Sequence, residues 1–331
     1  MPELRYNIAT GDWTIFATER AKRPHDFIKP KETKLLPEYQ ENCPFCPGNE
    51  SKSPIELFRI GDQAKWRVRC VPNLFGALSP KENLQRKISD IYISMGGFGQ
   101  HEVIIENPKH NTCIALMNEP EVQDIIRAYK SRYLALRGIP GIETVIIFKN
   151  HGTGAGTSLE HPHSQVIAVP VITPQTKTRA VIAEDFYEKN GQCVYCRMVE
   201  EELKLKTRVV LETEHFVSFI PFASVMPFIT WICPKRHCSS FGSIEEAEIV
   251  DLARNLRTVL QKLYYGLSNP DFNYTIRSYR AKDSGEEYLH WELCVIPRLT
   301  TPAGFELGTA MFVNTALPEE SAEFLRKVSC S

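Results

Sequence analysis

An internal repeat is the feature of this sequence that most constrains its fold. A Cys-x-x-Cys pair opens each half, in "ENCPFCPGNE" and again in "NGQCVYCRMV". Strand-like runs that reach a proline, an apolar strand ending in Pro-Lys and a histidine, a helix and two closing strands then follow, in the same order both times. Similarity between single residues is thin, but this shared order indicates a duplicated unit. We therefore predict two tandem halves, residues 1–178 and 179–331.

Each half contains one predicted amphipathic helix. The first covers about residues 119–137 with Asn118 as its cap, and the second starts at Ser243, with Glu246 as the partner in a capping box, and ends at Gly266. The 22 prolines and many short apolar runs favour strands and loops elsewhere. The predicted fold class is α+β, with an antiparallel sheet and a packed helix in each half.

Composition and charge limit the class of function. Hydrophobic residues make up 43% and charged residues 24% of 331 residues, which is typical of a soluble globular protein. The net charge is -1, and no basic stretch interleaved with aromatics is present, which disfavours a nucleic-acid partner. The start shows no secretory pattern, and no apolar run reaches membrane-spanning length. We expect a cytoplasmic protein with no membrane partner.

The paired cysteines and two histidines of each half predict a metal knuckle. Structural zinc takes four nitrogen or sulfur ligands, often a Cys-x-x-Cys pair with two distant histidines. A redox pair of the thioredoxin type and a disulfide framework are the alternatives, but neither pair opens a helix in a strand-helix-strand unit, and disulfide frameworks belong mostly to small domains. The predicted ligands of two zinc ions per chain are Cys43, Cys46, His110 and His161, then Cys193, Cys196, His237 and His290.

The strand "LEHPHSQVIAVP" carries one imidazole more than a metal site needs. His161, His163 and Gln165 have a spacing of two, so an extended chain would put them on one face. In the second half His290 keeps the metal position, but Glu292 stands in the place of His163. This asymmetry favours a chemical role for His163, and a hydrogen-bonded core histidine is the alternative.

A neutral imidazole is a good nucleophile toward phosphorus and a good leaving group. A neighbouring amide such as that of Gln165 can donate to a phosphoryl oxygen. Upstream, "NHGTGAGTS" could bring backbone N–H groups close to phosphates, although it matches neither a dinucleotide fingerprint nor a P-loop. The combination predicts chemistry on a phosphate ester at His163.

The motif "GTSLEHPHSQ" resembles the G-x-S-x-x-H-P-H-x-Q signature of galactose-1-phosphate uridylyltransferases, in the histidine triad superfamily. "IFATERAKRPHDF", "CPFCPGNE" and "VPNLFGAL" resemble further segments of that family, so the likeness extends over nearly the whole chain. It is most similar to the branch that includes ADP-glucose phosphorylase.

The resemblance implies a two-step transfer of a nucleoside monophosphate. His163 would attack the α-phosphorus of a sugar nucleotide, and phosphate or a hexose 1-phosphate would then take the nucleotidyl group. Gln165 and Ser158 would contact the transferred phosphoryl group. A homodimer is implied as well. The implied substrate contacts are Arg20, Arg23, Asn73, Asn150, Gly156 and Phe305.

One departure from the family pattern concerns the sugar. The family's Tyr-Glu pair that binds the hexose is matched here by Thr309 and Ala310, with Glu306 nearby but out of register. Missing partners for the hexose hydroxyls would weaken discrimination for galactose, so plain phosphate becomes a candidate acceptor. Uridine and adenosine nucleotides both stay open. A hydrolase of the same superfamily and a zinc-stabilised nucleic-acid-binding module are the alternative functions.

Overall fold

The computed structural model describes residues 1–17, 19, 23–28, 36–62, 65–279 and 286–330. In the first half the elements are β1 (Glu3–Tyr6), β2 (Trp13–Phe16), β3 (Phe58–Gly61), β4 (Trp66–Pro72), β5 (Arg86–Ser89), β6 (Tyr92–Met95), β7 (Gln100–Ile105), α1 (Glu119–Arg137), β8 (Thr144–His151) and β9 (His163–Val169). Those that follow are α2 (Pro174–Asn190), α3 (Val194–Leu205), β10 (Val209–Glu212), β11 (Phe216–Phe219), β12 (Thr230–Pro234), α4 (Glu246–Gly266), β13 (Phe272–Arg277), β14 (Glu292–Pro297), α5 (Gly304–Thr309), β15 (Phe312–Asn314) and α6 (Pro318–Lys327).

The two halves share one continuous antiparallel sheet. Its ten strands are hydrogen-bonded in the order β10-β11-β12-β14-β13-β8-β9-β7-β4-β3. Read outward from the centre, β8-β9-β7-β4-β3 is mirrored by β13-β14-β12-β11-β10, as expected of a duplicated unit. The α+β class is confirmed, and the sheet proves to be single because β8 pairs with β13. The predicted boundary between residues 178 and 179 falls within α2 and stays a prediction.

Helices α1 and α4 lie together on one face of this sheet and form the main core with it. The Asn118 side chain accepts from the Glu121 N–H at 2.9 Å, and Glu121 Oε2 accepts from the Asn118 N–H at 2.8 Å. This reciprocal cap begins α1 where the sequence predicts it. The residues of both predicted apolar faces are buried, namely Val122, Ile125, Ile126, Tyr129, Tyr133, Ile249, Leu252, Leu256, Leu260 and Leu263.

The predicted start of α4 at Ser243 is wrong. Ser243 ends a short 3-10 turn, and Ile244 is extended (φ -61°, ψ 133°) because its side chain is buried in the core. The cap is Glu245, whose N–H donates to Glu248 Oε2 at 2.8 Å. Glu248 also pairs with Arg236, which donates to the Ser243 carbonyl at 3.0 Å. Tertiary contacts therefore move the start of the helix away from the position that the local capping signal predicts. The predicted end of the helix at Gly266 is confirmed.

The opposite face of the sheet is covered at its two ends and more open in the middle. Residues of α2 and α3 pack over the second half, and the segment around Cys43 and Cys46 packs over the first. Between these two covers, side chains of β8, β9 and β13 are only half-buried, including Phe148, Gln165 and Thr275. Among the described residues, no helix combines the length and apolarity needed to cross a membrane.

A buried ion pair attaches α1 to β7. Arg132 donates to the two carboxylate oxygens of Glu102, each at 2.7 Å. The Glu102 carboxylate is almost completely buried, and the Cys70 thiol also donates to it at 3.3 Å. A carboxylate at this depth needs its cation, since removing one partner leaves a charge without water.

We expect Arg132→Met to lower the free energy of unfolding by about 3–5 kcal/mol, because Glu102 would be left buried and charged. The double variant Glu102→Gln with Arg132→Met should lose less, because glutamine carries no charge. Chemical denaturation of the three proteins measures both effects. A single variant that is as stable as the double variant would contradict this account of the pair.

Candidate active site

The first predicted metal set comes together as four buried side chains. The ligand atoms of Cys43, Cys46, His110 and His161 all lie within 4.8 Å of one another. Cys46 Sγ is 3.6 Å from both His110 Nδ1 and His161 Nδ1, and Cys43 Sγ is 3.7 Å from His161 Nδ1. His161 Nε2 donates to the Asn107 carbonyl at 2.7 Å, which leaves Nδ1 as the free lone pair. This set can hold one metal ion.

Burial favours the neutral form of His161 that a metal ligand requires. Burial lowers the pKa of His161 to about 4, so its ring is neutral at pH 7. Burial has the opposite effect on Cys43, since it raises the pKa of the thiol and so disfavours the thiolate that a metal ligand requires. A metal ion bound here would have to displace that thiol proton.

The second predicted set also comes together, but it is more accessible. The ligand atoms of Cys193, Cys196, His237 and His290 lie within 4.8 Å of one another, with Cys196 half-buried and His237 exposed. Cys193 is the cap of α3, so this pair opens a helix. The preceding element is the helix α2, however, which differs from the strand-helix-strand setting of a redox pair.

His163 begins β9 and lies at a cavity of about 670 Å³. Its side chain is 7% exposed, and its Nδ1 donates to the His161 carbonyl at 2.8 Å. This bond leaves the lone pair of Nε2 available, while burial lowers the pKa of His163 and favours the neutral ring. Asn150 and His151 also line the cavity, as does His161. The geometry suits a nucleophilic imidazole.

A buried charged network supports the strand that carries His163. Lys149 donates to Glu106 Oε2 at 2.5 Å and to the His163 carbonyl at 3.0 Å. The Tyr129 hydroxyl lies 3.2 Å from Glu106 Oε1 and 2.7 Å from the Ser164 hydroxyl. Sequence reasoning missed these residues. The apolar strand pattern gave no sign that Lys149, at the end of "VIIFK", points into the core.

Gln165 lies on the same face of β9 as His163, and its amide contacts two side chains. His101 Nε2 is 2.7 Å and Asn73 Nδ2 is 3.5 Å from Gln165 Oε1. Asn73, predicted as a substrate contact, therefore lies beside Gln165. His101 is a histidine that the sequence analysis missed. The only sequence signal was that His101 and Val103, two residues apart on β7, share one face of the sheet. This spacing does not reveal that β9, with Gln165, is the neighbouring strand.

Asn150 contacts the second half of the chain. Asn273 Nδ2 donates to Asn150 Oδ1 at 2.9 Å and to the Ala155 carbonyl at 2.8 Å. Phe148 pairs with Gln165 across β8 and β9, so Asn150, two residues further along β8, lies on the same face of the sheet as Gln165. Asn150 and His163 both line the cavity. Gly156, with a φ of +88°, belongs to the link that follows.

The glycine-rich link between β8 and β9 packs on Asp271. The Gly154 N–H donates to Asp271 Oδ2 at 2.6 Å. A Cβ on Gly152, whose φ is +84°, would stand 1.9 Å from Asp271 Oδ1, so this close approach requires glycine. The expectation that the link offers its N–H groups to phosphate therefore fails for Gly154, whose N–H is bonded to a carboxylate.

Among the described residues, six predicted catalytic or substrate-contacting residues do not line the cavity, namely Asn73, Gly156, Ser158, Gln165, Arg23 and Phe305. Ser158 is exposed and does not line the cavity, although both of its neighbours in sequence do. Arg23 is exposed beside a short 3-10 turn, and Phe305 is 47% exposed on α5. Neither lines the cavity. Arg20 lies outside the described residues.

The second half carries a carboxylate where the first carries the nucleophile candidate. Glu292 begins β14 as His163 begins β9, and it is fully buried. Its Oε1 accepts from Arg179 Nη1 at 2.8 Å and from Arg277 Nη1 at 3.2 Å. Arg179 is supplied by α2, which covers this part of the sheet. The asymmetry predicted from the repeat is thus present in the structure.

Comparison with known proteins agrees with this arrangement. Family models described as galactose-1-phosphate uridyl transferase match residues 1–173 (N-terminal domain) and 178–327 (C-terminal domain). ADP-glucose phosphorylase of Arabidopsis thaliana is 38% identical over 99% of this chain and 93% of its own length. Galactose-1-phosphate uridylyltransferase of Thermotoga maritima is 29% identical over 99% of this chain and 98% of its own length.

A solved structure extends the likeness to three dimensions. The crystal structure of an ADP-glucose phosphorylase from Arabidopsis thaliana with bound ADP-glucose superposes with a TM-score of 0.87. The two chains are 34% identical, and the alignment covers 100% of each. The family models and these relatives cover nearly the whole chain, and the chain belongs to the galactose-1-phosphate uridyl transferase family.

Proposed function

We propose that this protein transfers a nucleoside monophosphate from a sugar nucleotide, through a covalent adduct on His163, to a phosphate acceptor. It is a nucleotidyltransferase of carbohydrate metabolism, and its relatives are named ADP-glucose phosphorylase and galactose-1-phosphate uridylyltransferase. The observation that carries the proposal is His163 itself, which combines a position at the cavity, a bonded Nδ1 and an available Nε2.

The proposed steps balance without a base. The Nε2 lone pair attacks the α-phosphorus, the bond from that phosphorus to the bridging oxygen breaks, and sugar 1-phosphate leaves. In the adduct the ring is cationic, and its Nδ1–H stays bonded to the His161 carbonyl. An oxygen of the acceptor phosphate then attacks the same phosphorus, the P–N bond breaks, and His163 is regenerated.

ADP-glucose is the proposed donor, since the relative with the highest identity quoted above is an ADP-glucose phosphorylase and the solved structure of an ADP-glucose phosphorylase contains that compound. Inorganic phosphate is the proposed acceptor. Thr309 donates to the Phe305 carbonyl at 2.7 Å, and Glu306 accepts from the Ala303 N–H at 3.0 Å. Both side chains are therefore engaged within α5, which weakens the case for either as a hexose contact.

The metal proposed for both Cys/His sets is zinc. Tetrahedral zinc, at about 2.3 Å from sulfur and 2.0 Å from nitrogen, separates those two ligands by about 3.5 Å. The S–N distances of 3.6 and 3.7 Å in the first set fit this geometry, as do those of 3.3, 3.6 and 4.0 Å in the second. Four protein ligands leave no open position, so each zinc would stabilise structure and would not contact the substrate.

Several finer points stay predictions. Arg23 and Phe305 are proposed to contact substrate, and because they lie away from the cavity of their own chain, a second chain would have to bring them there. This agrees with the predicted homodimer. Arg20, Ser158 and Gly156 keep their proposed roles at the phosphates, and the cytoplasm is the proposed location.

The zinc proposal predicts two zinc ions per chain by elemental analysis. Cys43→Ser and Cys193→Ser should each lose one, and Cys43→Ser should lower the free energy of unfolding by more than about 4 kcal/mol because its site is buried. Cys330→Ser, at an exposed cysteine outside both sets, is the matched control. Wild-type protein that folds and contains no transition metal would refute both sites.

The nucleophile proposal predicts an acid-labile adduct on His163 when the protein meets ADP-glucose labelled in the nucleotide. His163→Asn should lower the labelling rate at least about 10³-fold while zinc content and unfolding stay near wild type. His161→Asn should disturb zinc and folding together. Labelling of His163→Asn at the wild-type rate would assign the nucleophile to another residue.

The acceptor proposal predicts that inorganic phosphate discharges the labelled adduct faster than galactose 1-phosphate does. We expect the second-order rate constants to differ at least about tenfold, because the hexose hydroxyls would lack partners. Discharge can be followed by loss of label from the protein after rapid mixing. Faster discharge by galactose 1-phosphate would contradict the proposal, and rapid discharge by water alone would indicate a hydrolase.

A further inference from the structure

Two amide side chains flank His163, and each is held by a residue outside the predicted site. Gln165 and Asn150 lie on the same face of neighbouring strands as His163. Gln165 contacts His101, and Asn150 contacts Asn273. An amide can present either its oxygen or its NH2 group to a ligand, so its orientation decides whether it attracts or repels a phosphoryl oxygen.

The orientation of Gln165 follows from a backbone donor. The Ala77 N–H donates to His101 Nδ1 at 3.2 Å, so Nδ1 is unprotonated and Nε2 carries the hydrogen of the neutral ring. That Nε2–H faces Gln165 at 2.7 Å, so the atom that it meets must be Oε1. The Asn73 NH2 group lies 3.1 Å from His101 Nε2 and 3.5 Å from this oxygen, and Asn73 Oδ1 accepts from the Phe75 N–H at 2.9 Å. Because Nε2 already carries a hydrogen, this NH2 group can donate only to the oxygen. The NH2 group of Gln165 is left for a ligand.

The orientation of Asn150 follows from a backbone acceptor. The Ala155 carbonyl accepts from Asn273 at 2.8 Å, so the atom of Asn273 that faces it is Nδ2. The same Nδ2 lies 2.9 Å from Asn150, whose facing atom must therefore be Oδ1. The NH2 group of Asn150 is left for a ligand, as it is in Gln165. A backbone donor thus orients Gln165 and a backbone acceptor orients Asn150, and in both cases the NH2 group stays available.

We propose that His101 and Asn273 are positioning residues that hold Gln165 and Asn150 with both NH2 groups toward the phosphoryl group on His163. The proposal rests on the nucleotidyl transfer proposed above. Two fixed donors beside the nucleophile would stabilise charge on the phosphoryl oxygens without reorganisation during the reaction. Because Asn273 belongs to β13, the second half would contribute to catalysis through the orientation of Asn150.

The test compares His101→Leu, Asn273→Leu and their combination in single-turnover labelling with ADP-glucose. Loss of a direct donor of this kind costs about 10²–10³ in rate, so loss of its orientation alone should cost about tenfold for each variant. The double variant should lose about a hundredfold if the two contacts act independently. His101→Gln keeps an N–H donor at the position of Nε2 and should recover the rate to within about threefold. Thr275→Val, on the same face of β13, is the matched control.

A second measurement separates positioning from packing. The ratio of the adenosine Kd to the AMP Kd reports the contribution of the phosphate alone, and it should fall about tenfold in each leucine variant while adenosine binding is unchanged. Wild-type rates and ratios in both leucine variants would overturn the proposal. So would a His101→Gln variant as impaired as His101→Leu, or a Thr275→Val variant as slow as Asn273→Leu.

The two proposals can fail separately. If wild-type protein forms no adduct, the nucleotidyl transfer fails, and the AMP-to-adenosine comparison alone then decides whether the two amides face an anion. A changed ratio in the leucine variants would support the orientation, and an unchanged ratio would overturn it.

Discussion

The pairing of β8 with β13 is the interaction on which the rest of the structure depends. It merges two half-sheets into one, and it places β13 of the second half next to β8, one strand away from the β9 strand that carries His163. On one face of β13, Asn273 contacts Asn150. On the other face, the Tyr274 hydroxyl lies 2.5 Å from that of Tyr129, which also contacts Glu106 and Ser164. Both the cavity and its buried support therefore depend on this single strand pair.

The two halves have the same fold, but they bury and pair different charged side chains at the corresponding strand. The first half buries Lys149 with Glu106 beneath the His163 strand and leaves the imidazole at a cavity. The second half buries Glu292 at the corresponding position and surrounds it with Arg179 and Arg277. A buried carboxylate is tolerated only when it is paired. Arg179 of α2 supplies part of that pairing, which makes this position of the second half a structural one.

Local signals in the sequence were sufficient for the duplicated order, the ends of α1 and the membership of both Cys/His sets. The ends of α1 depend on capping within a short stretch, and the duplicated order and the two sets depend on one pattern that recurs in both halves. His101, Lys149 and Asn273 were out of reach because their roles depend on which strands lie side by side. The start of α4 was misplaced for a related reason, since burial of Ile244 outweighs the capping signal at Ser243.

The first Cys/His set and the nucleophile candidate are connected through one peptide carbonyl. His161 is fixed at its ring by the contact of Nε2 with Asn107 and by the proximity of Nδ1 to the two cysteines. The His161 carbonyl accepts from His163 Nδ1, so the backbone that carries the proposed ligand also sets the tautomer of the next imidazole. A metal ion bound here would thus influence the transfer without contacting substrate. The spacing of two between these histidines is what makes this connection possible, because it places one ring in the metal set and the next at the cavity.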